Sequence, residues 1–420
     1  MMIHQMRIVI VVCMAILISN AALFAVAAAQ ENARGEVPDL LALEGKTVEL
    51  IYAGGSAQWP LKITRVEEGK TPGTLKSIKV QFMEEKKRRK VTANKIEEII
   101  FDHQPLDVEY DRGKRGLAHS PKKRQARLEH TAVVTKRLRS IGRRLWEPVT
   151  AEQHTEFLAA QKEMVEKVQS HFSQVDLHVV ETEFFIVCTD LSAEQINGYL
   201  ASLDAMYREL CMAFGIPPTK NIWAGKCLVF PFSNKPLFKR FEVEFFNNTE
   251  SGGAQGLCHL SSDGNVAFSG FRGDSDAYFG GVLVHETAHG FVFRYLSSAP
   301  APSWLDEGMS DWIANTIMKN NDVPRKQIDS ANIIKRTGTW NDFLTTSRIS
   351  FDHYGAASTL VEILLRRDKG LQFRQFFTGI KEGKDAEESL KECFGLSYQD
   401  LAILYAEQVA NMPERLPRSR

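Results

Sequence analysis

His285, Glu286 and His289 form the pattern H-E-x-x-H inside the apolar run 281–293. Positions four apart on an α-helix lie one turn apart on the same face, so two imidazoles at this spacing can point at one metal ion. Glu286, roughly 100° round the helix, then faces a water on that metal. The chemistry this suggests is hydrolysis by a zinc-bound water, with Glu286 as general base. The plain alternative is a buried helix whose histidines pack or hydrogen-bond, and two further features weigh against it.

A catalytic zinc takes three protein ligands and keeps one position open. The longer pattern H-E-x-x-H-x-x-G-x-x-H is absent, because Val292 and Tyr295 stand at the Gly and His places. The third ligand therefore comes from elsewhere. Downstream the chain runs Pro302, Ser303, Trp304, Leu305, Asp306, Glu307, Gly308, with Asp311 four residues after Glu307. Met309, Trp312, Ile313 and Ile317 predict a helix over 306–319 with one apolar face, which puts Glu307 and Asp311 on a common side. Asp306 is the rival third ligand, facing away from that side.

These segments resemble the gluzincin metallopeptidases, which carry H-E-x-x-H on one helix and a Glu-x-x-x-Asp arrangement on the next. Trp304–Gly308 is similar to their W-L-x-E-G signature. The resemblance implies His285, His289 and Glu307 as ligands of one Zn²⁺ per chain. It implies Asp311 as a carboxylate that orients a ligand imidazole. In this family a Tyr or His from a later helix donates to the developing oxyanion, which points to Tyr354, with His353 as the alternative. A core or capping aromatic is the plain reading of that segment. An edge strand of the family binds the substrate backbone, which points to Gly253, Ala254, Gln255 and Gly256, or more simply to a hairpin turning at 262–264. His259 in the same stretch reads as structural. An acidic amine-binding strand like the aminopeptidase G-A-M-E-N is missing, which favours an endopeptidase or a role other than aminopeptidase.

Residues 150–410 also resemble a family of secreted bacterial peptidase MA-like proteins of largely unknown function. The resemblance rests on 184–190, the H-E-x-x-H helix, 304–311, 354–365 and 394–401. It implies an α+β catalytic domain with a mixed-sheet lobe and an all-helical C-terminal lobe, acting on a peptide or protein substrate. It names no substrate. A metal-binding protein without proteolytic activity, and a zinc hydrolase of another substrate class, would use the same residues.

The elements that must position these groups follow from hydropathy. Residues 37–107 alternate apolar and polar residues in short runs, 47–52, 61–66, 75–82 and 95–101, separated by Gly and Pro turns. Four or five short strands predict a small barrel of SH3-like or Sm-like type. Residues 108–149 read as a basic helical linker; 112–144 hold twelve Lys or Arg against one acid, Glu129. This stretch could touch an anionic envelope polymer, though a solvated face is the simpler reading. It lacks the aromatics that stack on single-stranded nucleic acid, and the whole chain has a formal net charge of +0, so no nucleic-acid partner is expected. Helices are expected over 150–173, 192–214 and 237–246, with strands over 178–188 and 222–232 between them. From 277 onward the chain reads as helical, with stops at Gly370 and Gly395.

At the start, Arg7 precedes an apolar run over 8–29 that ends in small residues. That pattern predicts a signal peptide cut after Ala29, hence an exported bacterial protein of the periplasm, envelope or exterior with no membrane span after cleavage; the run is also long enough for an uncleaved anchor. Cys13 leaves with the signal. The remaining five cysteines have no C-x-x-C spacing and read as small buried residues.

Overall fold

The computed structural model describes residues 39–410, apart from 54–56, 83–86, 102–103, 219, 319–321, 339–341 and 369–370. The signal-peptide reading of 1–29 and the Gly370 stop lie outside the described residues. The fold is mixed α+β, and the described residues divide into two compact units. One comprises 39–133 with 211–220; the other comprises 134–210 with 221–410.

The first unit is an antiparallel sheet of eight strands: β1 (Thr47–Tyr52), β2 (Ala57–Glu68), β3 (Leu75–Phe82), β4 (Arg88–Thr92), β5 (Ile96–Phe101), β6 (Gln104–Pro105), β7 (Val108–Asp111) and β8 (Gly116–His119). The path is β6-β5-β1-β2-β3-β8-β7, with β4 paired to β3. Inward positions recur every second residue, as in Val48 and Leu50, Leu61 and Ile63, Ile78 and Val80, and their side chains form one core. The far end of the path returns to β5: Leu106 N–H donates to Ile99 O (2.9 Å) and Val108 N–H donates to Glu98 Oε1 (3.2 Å). The sheet is therefore a nearly closed barrel, which spares it long open edges.

The sheet runs past residue 107, where the sequence reading ends it. Val108 and Leu117 are fully buried in the barrel core, so β7 and β8 complete it, and only Pro121–Ser140 of the following segment is helical (α1). One of that segment's cations is already spent: Arg127 Nε and Nη2 clasp the Asp107 carboxylate at 2.8–3.0 Å.

The second unit opens with α2 (Ala151–His171), started by a capping box in which Thr150 and Gln153 exchange side-chain and backbone bonds. Five strands follow: β9 (His178–Glu181), β10 (Phe185–Thr189), β11 (Cys227–Phe232), β12 (Gly256–Leu260) and β13 (Val266–Phe271), in the order β12-β13-β11-β10-β9. The β10/β11 and β11/β13 pairs are parallel and the outer pairs antiparallel. β10 and β11 are buried along their whole length, which suits their unbroken apolar runs. β11 starts later than the expected 222, because Gly225 turns at φ +79° while Asn221 bridges the turn from Trp223 N–H to Gly225 O. Two helices connect strands, α3 (Ala193–Ala213) and α4 (Lys235–Phe246), the latter with Asn234 as its N-cap.

Seven helices complete the unit: α5 (Asp276–Arg294), α6 (Ser303–Ile317), α7 (Val323–Thr337), α8 (Tyr354–Asp368), α9 (Leu371–Lys381), α10 (Ala386–Phe394) and α11 (Tyr398–Ala410). α10 ends at Gly395 with φ +67°. α6 packs against both α5 and α8, and α7 against α8. Phe279, Leu283 and Phe291 of α5 are fully buried, each contributing about 1.5–3 kcal/mol by leaving water. Four of the five cysteines from Cys188 onward are buried, Cys393 is half-buried, and none of the five is in a disulfide among the described residues. No helix among the described residues is long and apolar enough to cross a membrane.

Candidate metal centre

α5 is the most deeply set helix of the site. Ser275 Oγ accepts from Tyr278 N–H at its start, and Asp276 in its first turn favours the positive end of the helix dipole. At the other end Lys381, fully buried on α9, donates to Val292 O (2.9 Å) and Ala299 O (2.7 Å). Val292 O is one of the last carbonyls of α5, so a cation satisfies groups the helix leaves open. Burial pulls Lys381 down to about 7.

His285, Glu286 and His289 are 4–6 % exposed, and Glu307 and Asp311 on α6 are 9 % and 1 % exposed. Ionisable groups are almost never buried so completely without partners, and here all but Glu286 find partners among one another. His285 Nε2 lies 3.3 Å from His289 Nε2, and Glu307 Oε2 lies 3.2 Å from the first and 3.5 Å from the second. Three ligands at ~2.0–2.1 Å from a tetrahedral Zn²⁺ stand ~3.3–3.4 Å apart, so the observed triangle has the size of one face of such a site. The buried His285, His289 and Glu307 group can thus hold a metal ion.

The far side of each ring explains why the Nε2 atoms converge. His285 Nδ1 is 2.8 Å from Asp311 Oδ1. His289 Nδ1 is 3.3 Å from Ser310 Oγ and 3.1 Å from Asp306 Oδ1. With the Nδ1 protons donated to Asp311 and Ser310, both Nε2 lone pairs would face Glu307 Oε2. In that neutral form three acceptors point at one another and repel unless a positive charge, a proton or a metal ion, sits between them. The pKa directions express the same demand. Burial depresses His285, yet the bond and charge of Asp311, with Glu307, lift it to about 9; Asp306 and Glu307 likewise raise His289 against its burial. Glu307 falls well below the usual carboxylate range, the imidazoles outweighing its burial.

Glu286 has no place in this triangle. Its carboxyl is raised by burial, with the two imidazoles working against the rise, and it faces a cavity of about 930 Å³. His285, Asp311 and Tyr354 also line that cavity, as do Gly253, Ala254, Gln255 and Gly256. β12 stands at the sheet edge and pairs only with β13 among the described strands. A Cβ on Gly256 would lie 2.6 Å from Val282 and 3.3 Å from Cγ of Glu286, so glycine lets the strand lie directly on α5.

Of the two oxyanion-donor candidates, the structure brings one to the cavity. The Tyr354 ring lies parallel to His285 with centroids 6.2 Å apart. Burial, then Glu307 beside it, hold the Tyr354 proton on far above pH 10, so the hydroxyl is a donor. His353 turns away: its Nδ1 pairs with Ser350 Oγ (3.0 Å) and its ring stacks on Phe343. Asp306, the rival ligand, sits against Nδ1 of His289, opposite the converging Nε2 atoms. His259 is held by Glu242 and Ser269, away from the cavity wall.

Three groups at the site escape sequence reasoning: Ser310, Lys326 and Lys381. Ser310 had a signal, since it lies three residues after Glu307 on the same helix. The two lysines arrive on α7 and α9 by packing, with no spacing to announce them. The chain matches no known family model, and no curated protein is significantly similar to it.

Proposed function

We propose that this chain is an exported zinc-dependent peptidase of gluzincin type, with an SH3-like barrel in its N-terminal unit. The observation that carries the reading is the triangle of His285 Nε2, His289 Nε2 and Glu307 Oε2 at 3.2–3.5 Å, beside an unbonded Glu286 on a cavity wall. Those three atoms would hold the zinc. When bound, the ion supplies Lewis acidity and lowers the pKa of a water toward ~7.

The protein's own groups divide the remaining work. Glu286 takes the proton of the attacking water and hands it to the leaving amine nitrogen. Tyr354 donates its hydroxyl to the oxygen that gains charge when the carbonyl is attacked. The edge strand β12 offers backbone N–H and C=O groups to an extended peptide, and glycine at 256 keeps the approach clear. Asp311 and Ser310 keep the Nδ1 protons in place, so both imidazoles present bare Nε2 atoms.

The test is the zinc content of the purified protein and of Glu307→Ala, with casein cleavage read in the same samples. One zinc per chain, lost in the variant, together with chelator-sensitive cleavage supports the proposal. Zinc without cleavage of casein or of a peptide library would turn the reading to a binding protein or another substrate class. No zinc after reconstitution would end it.

A further inference from the structure

Lys326 on α7 lines the same cavity, yet its ammonium is bound inward. Nζ donates to Asp311 Oδ1 at 3.0 Å, the very oxygen that accepts from His285 Nδ1 at 2.8 Å. The other carboxylate oxygen, Asp311 Oδ2, is buried and has no hydrogen-bond partner among the described residues. Asp311 is therefore fixed through one atom by two donors, and only one of them, Lys326, is independent of the metal ligands. On its other side Lys326 meets Asp322 at 3.6 Å and lies over the rings of Phe351 (5.4 Å) and Tyr354 (6.0 Å). Its backbone is equally committed. A Cβ on Gly355 would run into the carbonyl of Lys326, so the first turn of α8, which carries Tyr354, rests on the main chain at this residue.

We propose that Lys326 is a positioning residue of the metal centre, acting through Asp311 on the orientation of His285 and through ring contact on Tyr354. The proposal rests on the metal-centre reading above. Its physical content is a constraint. A carboxylate held only by the imidazole it is meant to orient can turn together with that imidazole. A second donor from another helix stops that rotation. The ammonium also shares the charge of Asp311, so the carboxylate does not act on His285 alone.

The experiment compares wild type, Lys326→Met and Lys326→Arg. Zinc affinity is read by competition with a chromogenic chelator, and the ligand field by the visible d–d bands of the Co²⁺-loaded protein. Lys326→Met should bind zinc about tenfold more weakly and shift the cobalt bands, and Lys326→Arg should recover most of both. A Lys326→Met protein with wild-type affinity and wild-type cobalt bands overturns the proposal, whatever its melting temperature. A residue that merely held α7 in place would move only that temperature. If Lys326→Met does not fold, Lys326→Gln carries the same two outcomes. A wild-type protein that binds neither Zn²⁺ nor Co²⁺ fails the metal centre itself; metal binding indifferent to Lys326 fails this inference alone.

Discussion

Two buried clusters in the same unit are built from histidine and carboxylate, and they are wired differently. In the first, Glu242 Oε1 accepts from Ser269 Oγ (2.5 Å) and lies 3.0 Å from His259 Nε2, while Glu242 Oε2 accepts from Asn248 Nδ2 (2.6 Å). Donors meet acceptors, and the His259 ring stacks on Phe246 at 3.6 Å. In the second, His285 Nε2, His289 Nε2 and Glu307 Oε2 converge at 3.2–3.5 Å, and which of them donates depends on the protonation of the rings. The first cluster ties α4 to β12 and β13 and leaves His259 Nδ1 without a hydrogen-bond partner among the described residues. The second gathers three ligand-type atoms about one point. Both are buried and pair histidine with carboxylate; only the second brings two imidazoles and a carboxylate to one point, and that lets it take a cation.

The sharpest way to break this contrast is to remove one carboxylate from each cluster. Glu307→Ala should lose bound zinc and all cleavage, while Glu242→Ala should keep zinc and lose about 3 kcal/mol of stability through stranded donors, read by denaturant unfolding. Equal effects of the two on zinc would erase the distinction. Next in size, Glu286→Gln should keep one zinc per chain and lower kcat about 10²–10⁴-fold, because only the proton carrier is gone. Tyr354→Phe should lower kcat about 10²-fold with little change in KM, and His353→Ala should leave turnover at the wild-type level. The reverse ranking would move the oxyanion donor to His353.

Lys381 supplies a smaller test, through a buried charge that belongs to neither cluster. Its pKa is about 7 in the folded protein against an ordinary value of 10.5. The folded state therefore binds fewer protons than the unfolded chain between those values. The cost of burying the ammonium is fully present below pH 7 and is relieved as pH rises toward 10.5. Relative to Lys381→Met, the wild type should gain about 2 kcal/mol of unfolding free energy between pH 7 and 9. A flat difference would mean that the two carbonyls keep Lys381 charged throughout.

What the sequence made legible follows the range of each signal. His285, Glu286 and His289 are one helical turn, and Glu307 and Asp311 another, so fixed spacing carried them and the structure brings them together. The strands 47–52 and 75–82 match β1 and β3 because apolar and polar residues alternate in their sequence, although Glu49 and Ser77 are buried as well. β7 and β8 were missed because each is four residues long, too short for alternation to stand out, and the basic residues around them suggested a linker. Lys326 was invisible for a different reason. Its partner Asp311 is fifteen residues away on another helix, and nothing in either segment encodes their meeting. Long-range pairing of single charges is a property of packing, which local periodicity does not contain.

The contact at Gly256 has a consequence for how this cavity can be reshaped. Where β12 lies on α5, the strand contributes no side chain at Gly256, and its backbone rests on the side chains of Val282 and Glu286. Substitution there adds bulk beneath Glu286 and displaces the group that handles the proton. Ile349, Phe351 and Tyr278 also line the cavity, and each contributes through its side chain. A library built to change what the cavity accepts should vary those three positions and leave Gly256 alone.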